Sequence, residues 1–160
     1  MQSFFYAIAF NEYYYYIGIT IKIIAMIRFQ EIKVGDYVIA ENAGDKKWGE
    51  VTDLNRDSKQ ACVDVGAQEF WYEAKHLDAI PLNHAELEKL QFHAELNLDG
   101  SVKYKKGAFR ILIPVNDDFT HLEVWYRDER RIIGHPIFVH ELQNHFYEMT
   151  KVHLTNEAFA

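Results

Sequence analysis

The chain has 160 residues, 49% hydrophobic and 26% charged, with a formal net charge of −7 at pH 7. That length serves one ordinary domain or two very small ones sharing a core, and the composition excludes a disordered or collagen-like chain. The single cysteine, Cys62, excludes an intrachain disulfide and a multi-cysteine zinc site, fits a reducing compartment, and makes a cytoplasmic location the expectation.

Residues 1–25 are dominated by Phe, Tyr and Ile, with four consecutive tyrosines, Tyr13 to Tyr16. They lack the basic start and small-residue cleavage site of a secretory signal. Asn11, Glu12 and Lys22 also break any clean membrane span. The expectation is a leader outside the fold, from a mis-assigned or vestigial start. An added strand, in which Ile17, Ile19, Ile21 and Ile23 alternate, is the second reading, and a membrane anchor the last.

Residues 26–82 read as short strands between turns. A strand over 37–40 follows the turn at Gly35-Asp36, and Asn42 to Asp45 form a loop. A second strand covers 48–54, with a polar turn at 55–58. In the third, Ala61, Val63 and Val65 share the buried face while Cys62 and Asp64 take the other. A fourth strand spans 69–72, a helical turn 74–77, and a last short strand 79–82. Five short strands within so few residues curl to bury a core, and the Gly-Asp-Tyr-Val opening, Gly49-Glu50-Val51 and the late helical turn resemble an SH3-like barrel. The resemblance implies peptide or nucleic-acid binding through loop aromatics, with Tyr37, Trp48, Trp71 and Tyr72 as candidates. The competing reading is that some of these rings fill the barrel.

Residues 83–154 read as a helix followed by an antiparallel meander. Asn83 can cap the helix, with Glu86 completing a capping box and Leu87 and Leu90 facing inward. Strands are expected over 93–98 and 101–104, joined by Asp99-Gly100, then over 109–113 and 121–126. Residues 131–138 lead into a closing helix. There Val139, Leu142, Phe146 and Met149 recur at steps of three, four and three, a stripe that has to lie on an apolar sheet. Residues 155–160 read as a tail. The fold class is therefore α+β, mainly β, with a C-terminal helix covering a sheet.

His140-Glu141-Leu142-Gln143-Asn144-His145-Phe146 is similar to the H-x-L-Q-N-x-Y/F ending of a family of small uncharacterised proteins frequent in Bacteroidota genomes, phages and prophages. Val34-Gly35-Asp36-Tyr37-Val38 and Leu87-Glu88-Lys89-Leu90-Gln91-Phe92 resemble two further pieces of it, so the likeness covers about residues 26–154. Members more often carry Gly where this chain has Lys151. The resemblance implies a setting and adds His140, Gln143 and Asn144 to the candidate binding residues. It implies no chemistry.

Charge bounds the partners. Residues 26–100 hold 8 Lys+Arg against 15 Asp+Glu, whereas residues 101–160 hold 8 of each. An acidic front half repels a phosphate backbone. Lys103, Lys105, Lys106 and Arg110, with Arg127, Arg130 and Arg131, form basic clusters in the back half, which at hairpin tips are ordinarily solvated turns. His140-Glu141 with His145 resembles the H-E-x-x-H zinc pattern but is one residue too long. Positions five apart differ by roughly 140° around a helix and do not converge. Neither Ser58, Ser101 nor Cys62 sits in a nucleophile motif, and no glycine loop cradles phosphate. The expectation is a non-enzymatic protein with no cofactor and no metal that binds a protein partner, as a phage or prophage accessory factor. The alternatives are a metal-dependent enzyme using His121, His135, His140 and His145, or nucleic-acid binding by the back half.

Overall fold

The computed structural model describes residues 26–156, together with the backbone of a two-residue ladder between β1 (Ala9–Phe10) and β2 (Tyr13–Tyr14). The leader, added-strand and anchor readings of residues 1–25 otherwise lie outside the described residues. Two five-stranded antiparallel sheets account for most of the rest, with strand orders β6-β5-β4-β3-β7 and β12-β11-β10-β9-β8.

The front sheet contains β3 (Tyr37–Asn42), β4 (Asp45–Asn55), β5 (Gln60–Asp64), β6 (Glu69–Glu73) and β7 (Leu77–Asp78). Ala43 and Gly44, at φ 52° and 84°, make the two-residue turn between β3 and β4, which requires positive φ at both positions. The long β4 pairs with β3 through residues 45–50 and with β5 through residues 50–55. A register shift between Val51 and Asp53 bends it where the partner changes. Gly49 precedes this bend, paired with Val38, and a Cβ there would lie 2.6 Å from Val63 Cγ1 and 2.7 Å from the Asp64 carbonyl. Val38, Ala40, Val51, Ala61, Val63 and Tyr72 fill the resulting concavity. No ladder joins β6 to β7 among the described residues, so the sheet curls without closing.

The back sheet is a meander of β8 (His93–Leu96), β9 (Val102–Lys106), β10 (Phe109–Ile113), β11 (Leu122–Tyr126) and β12 (Glu129–Ile133). Val102, Tyr104, Phe109, Ile111, Ile113, Leu122 and Val124 point inward by simple alternation. α2 (Val139–Thr150) lays Val139, Leu142, Phe146 and Met149 on that face, as their spacing predicts. The short α1 (His84–Lys89) adds Leu87 and Leu90, with Asn83 Oδ1 accepting from the Glu86 amide at 3.0 Å. Glu86 does not complete a capping box; its carboxylate turns to Trp48 and Lys89.

Three local readings need correction. Cys62 is buried, because Trp71 lies directly across from it on the outer face of the ladder. The last front strand is residues 77–78, not 79–82. The later residues instead bond to the start of α2, with Leu82 N–H donating to the Ile137 carbonyl and Val139 N–H to the Ile80 carbonyl. Residues 129–133, read as turn and approach, form β12.

Strand β3 joins the two layers. Its even residues Val38 and Ala40 face the front core, while Tyr37 and Ile39 pack into the core under α2. A strand buried on both faces makes the two sheets one packed body.

Candidate protein-binding surface

The structure divides the seven candidate binding residues between an internal joint and one exposed edge. Tyr37 and Trp48 meet at the joint, their rings stacked at 4.2 Å. Tyr37 is fully buried, and its hydroxyl accepts from the Asn156 amide at 2.6 Å, so the expected tail reaches back into the core. Trp48 Nε1 donates to Glu86 Oε2 at 3.1 Å, and Lys89 Nζ lies 5.8 Å from the centre of its ring. These two rings are filler between the halves rather than inside the front sheet, where the buried ring is Tyr72.

Gln143 is the polar centre of that joint. Its Oε1 accepts from the Tyr37 amide at 2.9 Å, and Nε2 donates to the carbonyls of Gly35 at 2.7 Å and Leu154 at 3.1 Å. One acceptor and two donors on a planar group suit a primary amide and no other neutral side chain of that length. Asn144 Oδ1 accepts from Lys33 Nζ at 2.7 Å. His140 is 3% exposed and its ring stacks on Phe138; its Nδ1 has no hydrogen-bond partner among the described residues. Burial holds its pKa down at about 4, so the ring is neutral.

Asp36 escapes the sequence reading, because Gly35-Asp36 looks like a solvated turn. It is buried, accepts from the Lys33 amide at 2.8 Å, and desolvation pushes its pKa up to about 7. Together with Lys33, Gln143, Asn144, Tyr147 and His153 it lines a cleft of about 360 Å³.

The second location is the β6 edge. Trp71 is 48% and Phe70 37% exposed, whereas Tyr72 is buried, with its ring edge-on to Phe70 at 6.4 Å. Beside them the tip of the β3–β4 hairpin forms the opposite wall of a cleft of about 440 Å³, lined among others by Glu41, Gly44, Gln60, Trp71, Glu73 and His76. Glu73 is bound to Lys75 at 2.8 Å, and the neighbouring cation lowers its pKa. Apolar surface half-open to water beside a strand edge that is unpaired among the described residues is the arrangement that holds extended segments.

No group of three or more His, Cys, Asp or Glu side chains is gathered for a metal among the described residues. His145 Nδ1 lies 3.3 Å from the Arg131 guanidinium, and its pKa is lowered by burial first and by that cation second. No helix among the described residues is long and apolar enough to cross a membrane. Compared with known protein families, curated proteins and solved structures, the chain matches none.

Proposed function

We propose that this chain is a non-catalytic binding protein that takes an extended segment of a partner protein against β6. The observation that carries the reading is the edge of Glu69–Glu73, unpaired among the described residues, with Trp71 and Phe70 half-open beside a cleft. A segment adding to that edge would gain backbone hydrogen bonds along the strand and bury the indole. Glu41 and Glu73 line the cleft, paired with Lys46 and Lys75, and Glu69 opens the strand, so the fitting segment is apolar at alternate positions with Lys or Arg between them that meet Glu69 and compete for the other two.

The likeness to an SH3-like barrel supports the same use. The first long strand lies between the second and the last, and a helical turn, Ala74–His76, precedes that last strand. The likeness of α2 to the Bacteroidota and phage family supports a cytoplasmic setting as a phage or prophage accessory factor. Its motif residues Gln143 and Asn144 then serve by fixing Gly35–Tyr37 rather than by touching the partner.

A random peptide display library selected on the immobilised chain tests the proposal. Expected is enrichment of segments alternating apolar and basic residues, lost with Trp71→Ala. Failure to enrich any pattern, or enrichment indifferent to Trp71, overturns it. Elemental analysis addresses the metal-enzyme alternative: stoichiometric zinc, manganese or iron would favour it.

A further inference from the structure

The outer face of the back sheet, away from α2, carries a second built surface. The ladder places Lys105, Arg110, Trp125 and Arg130 in one row across β9 to β12, and Lys103, Leu112, Glu123 and Ile132 in the next. Trp125 is held from two sides: its Nε1 donates to Glu123 Oε2 at 3.2 Å, and the Arg130 guanidinium lies 5.0 Å from its ring centre. Arg130 is neutralised by a bidentate bond to Glu123 at 3.0 and 2.7 Å, and Lys105 by Glu95 at 2.7 Å. Lys103, Arg110 and Arg127 have no carboxylate in ion-pair reach among the described residues. Those three cations, with Leu112 and Trp125, line a cleft of about 270 Å³.

Three cations without a close ion pair among the described residues, Lys103 within the field of Glu95 and Arg127 lying 5.2 Å from the Tyr126 ring centre, gather around a fixed indole in a chain of net charge −7. We propose that this face binds single-stranded nucleic acid, one base entering the cleft against Trp125 and adjacent phosphates meeting Lys103, Arg110 and Arg127. The apolar floor decides among polyanions. A base beside its phosphates covers Trp125 and Leu112, a carboxylate-rich segment leaves them wet, and duplex bases are already stacked on one another. The acidic front half holds the overall affinity low and makes it sensitive to salt. This site is independent of the β6 edge and stands or falls without it.

Fluorescence anisotropy of a labelled oligothymidylate, titrated with the intact chain at several salt concentrations, tests it. Three neutralised phosphates predict a log–log salt slope of about −2. The paired substitutions Lys103→Gln and Arg127→Asn, both at accessible positions, should reduce that slope to about −0.7. Trp125→Leu should weaken binding about 5- to 150-fold at unchanged slope. Absence of binding at low salt overturns the proposal, as does equal binding of polyglutamate, tighter binding of a duplex, or indifference to the charge variants. Should Trp125→Leu fail to fold, the charge variants alone decide.

Discussion

Replacing Gln143 by leucine removes three hydrogen bonds to two separated segments, Gly35–Tyr37 and Leu154. It strands the Tyr37 amide and the Gly35 and Leu154 carbonyls, all bonded to it within 3.1 Å. A buried group left without its partner costs about 1–3 kcal/mol. The added apolar burial offsets part of this, leaving a net loss of about 3–5 kcal/mol from a total of about 5–15 kcal/mol for a domain this size. Gln143→Glu separates hydrogen bonding from packing. The carboxylate still accepts from Tyr37 but points negative charge at two carbonyl oxygens, so burial and repulsion raise its pKa. The folded state then binds a proton that the unfolded state releases, and the variant gains stability relative to wild type as pH falls. Urea unfolding followed by tryptophan fluorescence at pH 5 and pH 8 reads both effects. A leucine variant within 1 kcal/mol of wild type (~1 kcal/mol being the net worth of one ordinary bond), or a glutamate variant with the wild-type pH response, would refute the reasoning.

Further outcomes follow from single positions. Gly49→Ala forces a methyl against Val63 and the Asp64 carbonyl and should cost about 1–3 kcal/mol or more, read by the urea midpoint. Lys151 ends α2 at φ 62°, so Lys151→Gly should stabilise by about 0.5–1 kcal/mol despite losing the Nζ bond to the Glu148 carbonyl, read by thermal unfolding. Asp36 has its pKa raised from 3.8 to about 7, so the folded state keeps a proton that the unfolded state loses, and stability falls as pH rises through that interval. Asp36→Asn keeps an acceptor for the Lys33 amide and should match wild type near pH 4 while exceeding it at pH 8 by up to about 4 kcal/mol. His140 opposes this: its pKa is lowered from 6.5 to about 4, so its contribution is present above 6.5 and lost as pH falls towards 4. Wild type should therefore show a shallow stability profile over that range, and Asp36→Asn one that rises steadily with pH.

The elements legible in the sequence are those whose burial follows a local period. Val139, Leu142, Phe146 and Met149 give α2, and Phe109, Ile111 and Ile113 give β10, because each period meets one apolar surface. What sequence could not supply depends on distant neighbours. Cys62 looks open but is buried, with Trp71 as its partner across the ladder, and β12 looks like a turn because Glu129, Arg130 and Arg131 leave only Ile133 buried. Gln143 and Asn144 stand out as a motif, but apart from Leu154 their partners lie 106 to 111 residues away, so their structural role cannot be read locally. Tyr37, Trp48, Trp71 and Tyr72 are equal as sequence; only the curl of β4 and the double-sided burial of β3 send the first pair inward and leave Trp71 at the edge. Asp36 gave no signal, because a Gly-Asp turn is ordinarily solvated.

Hydrogen–deuterium exchange on the whole chain, with and without a peptide selected by display, tests the central claim most directly. New protection confined to residues 69–73 and the hairpin tip at 41–44 is the predicted result. Protection that falls on Lys33, Asn144 and Tyr147 instead, or none at the β6 edge, would contradict it.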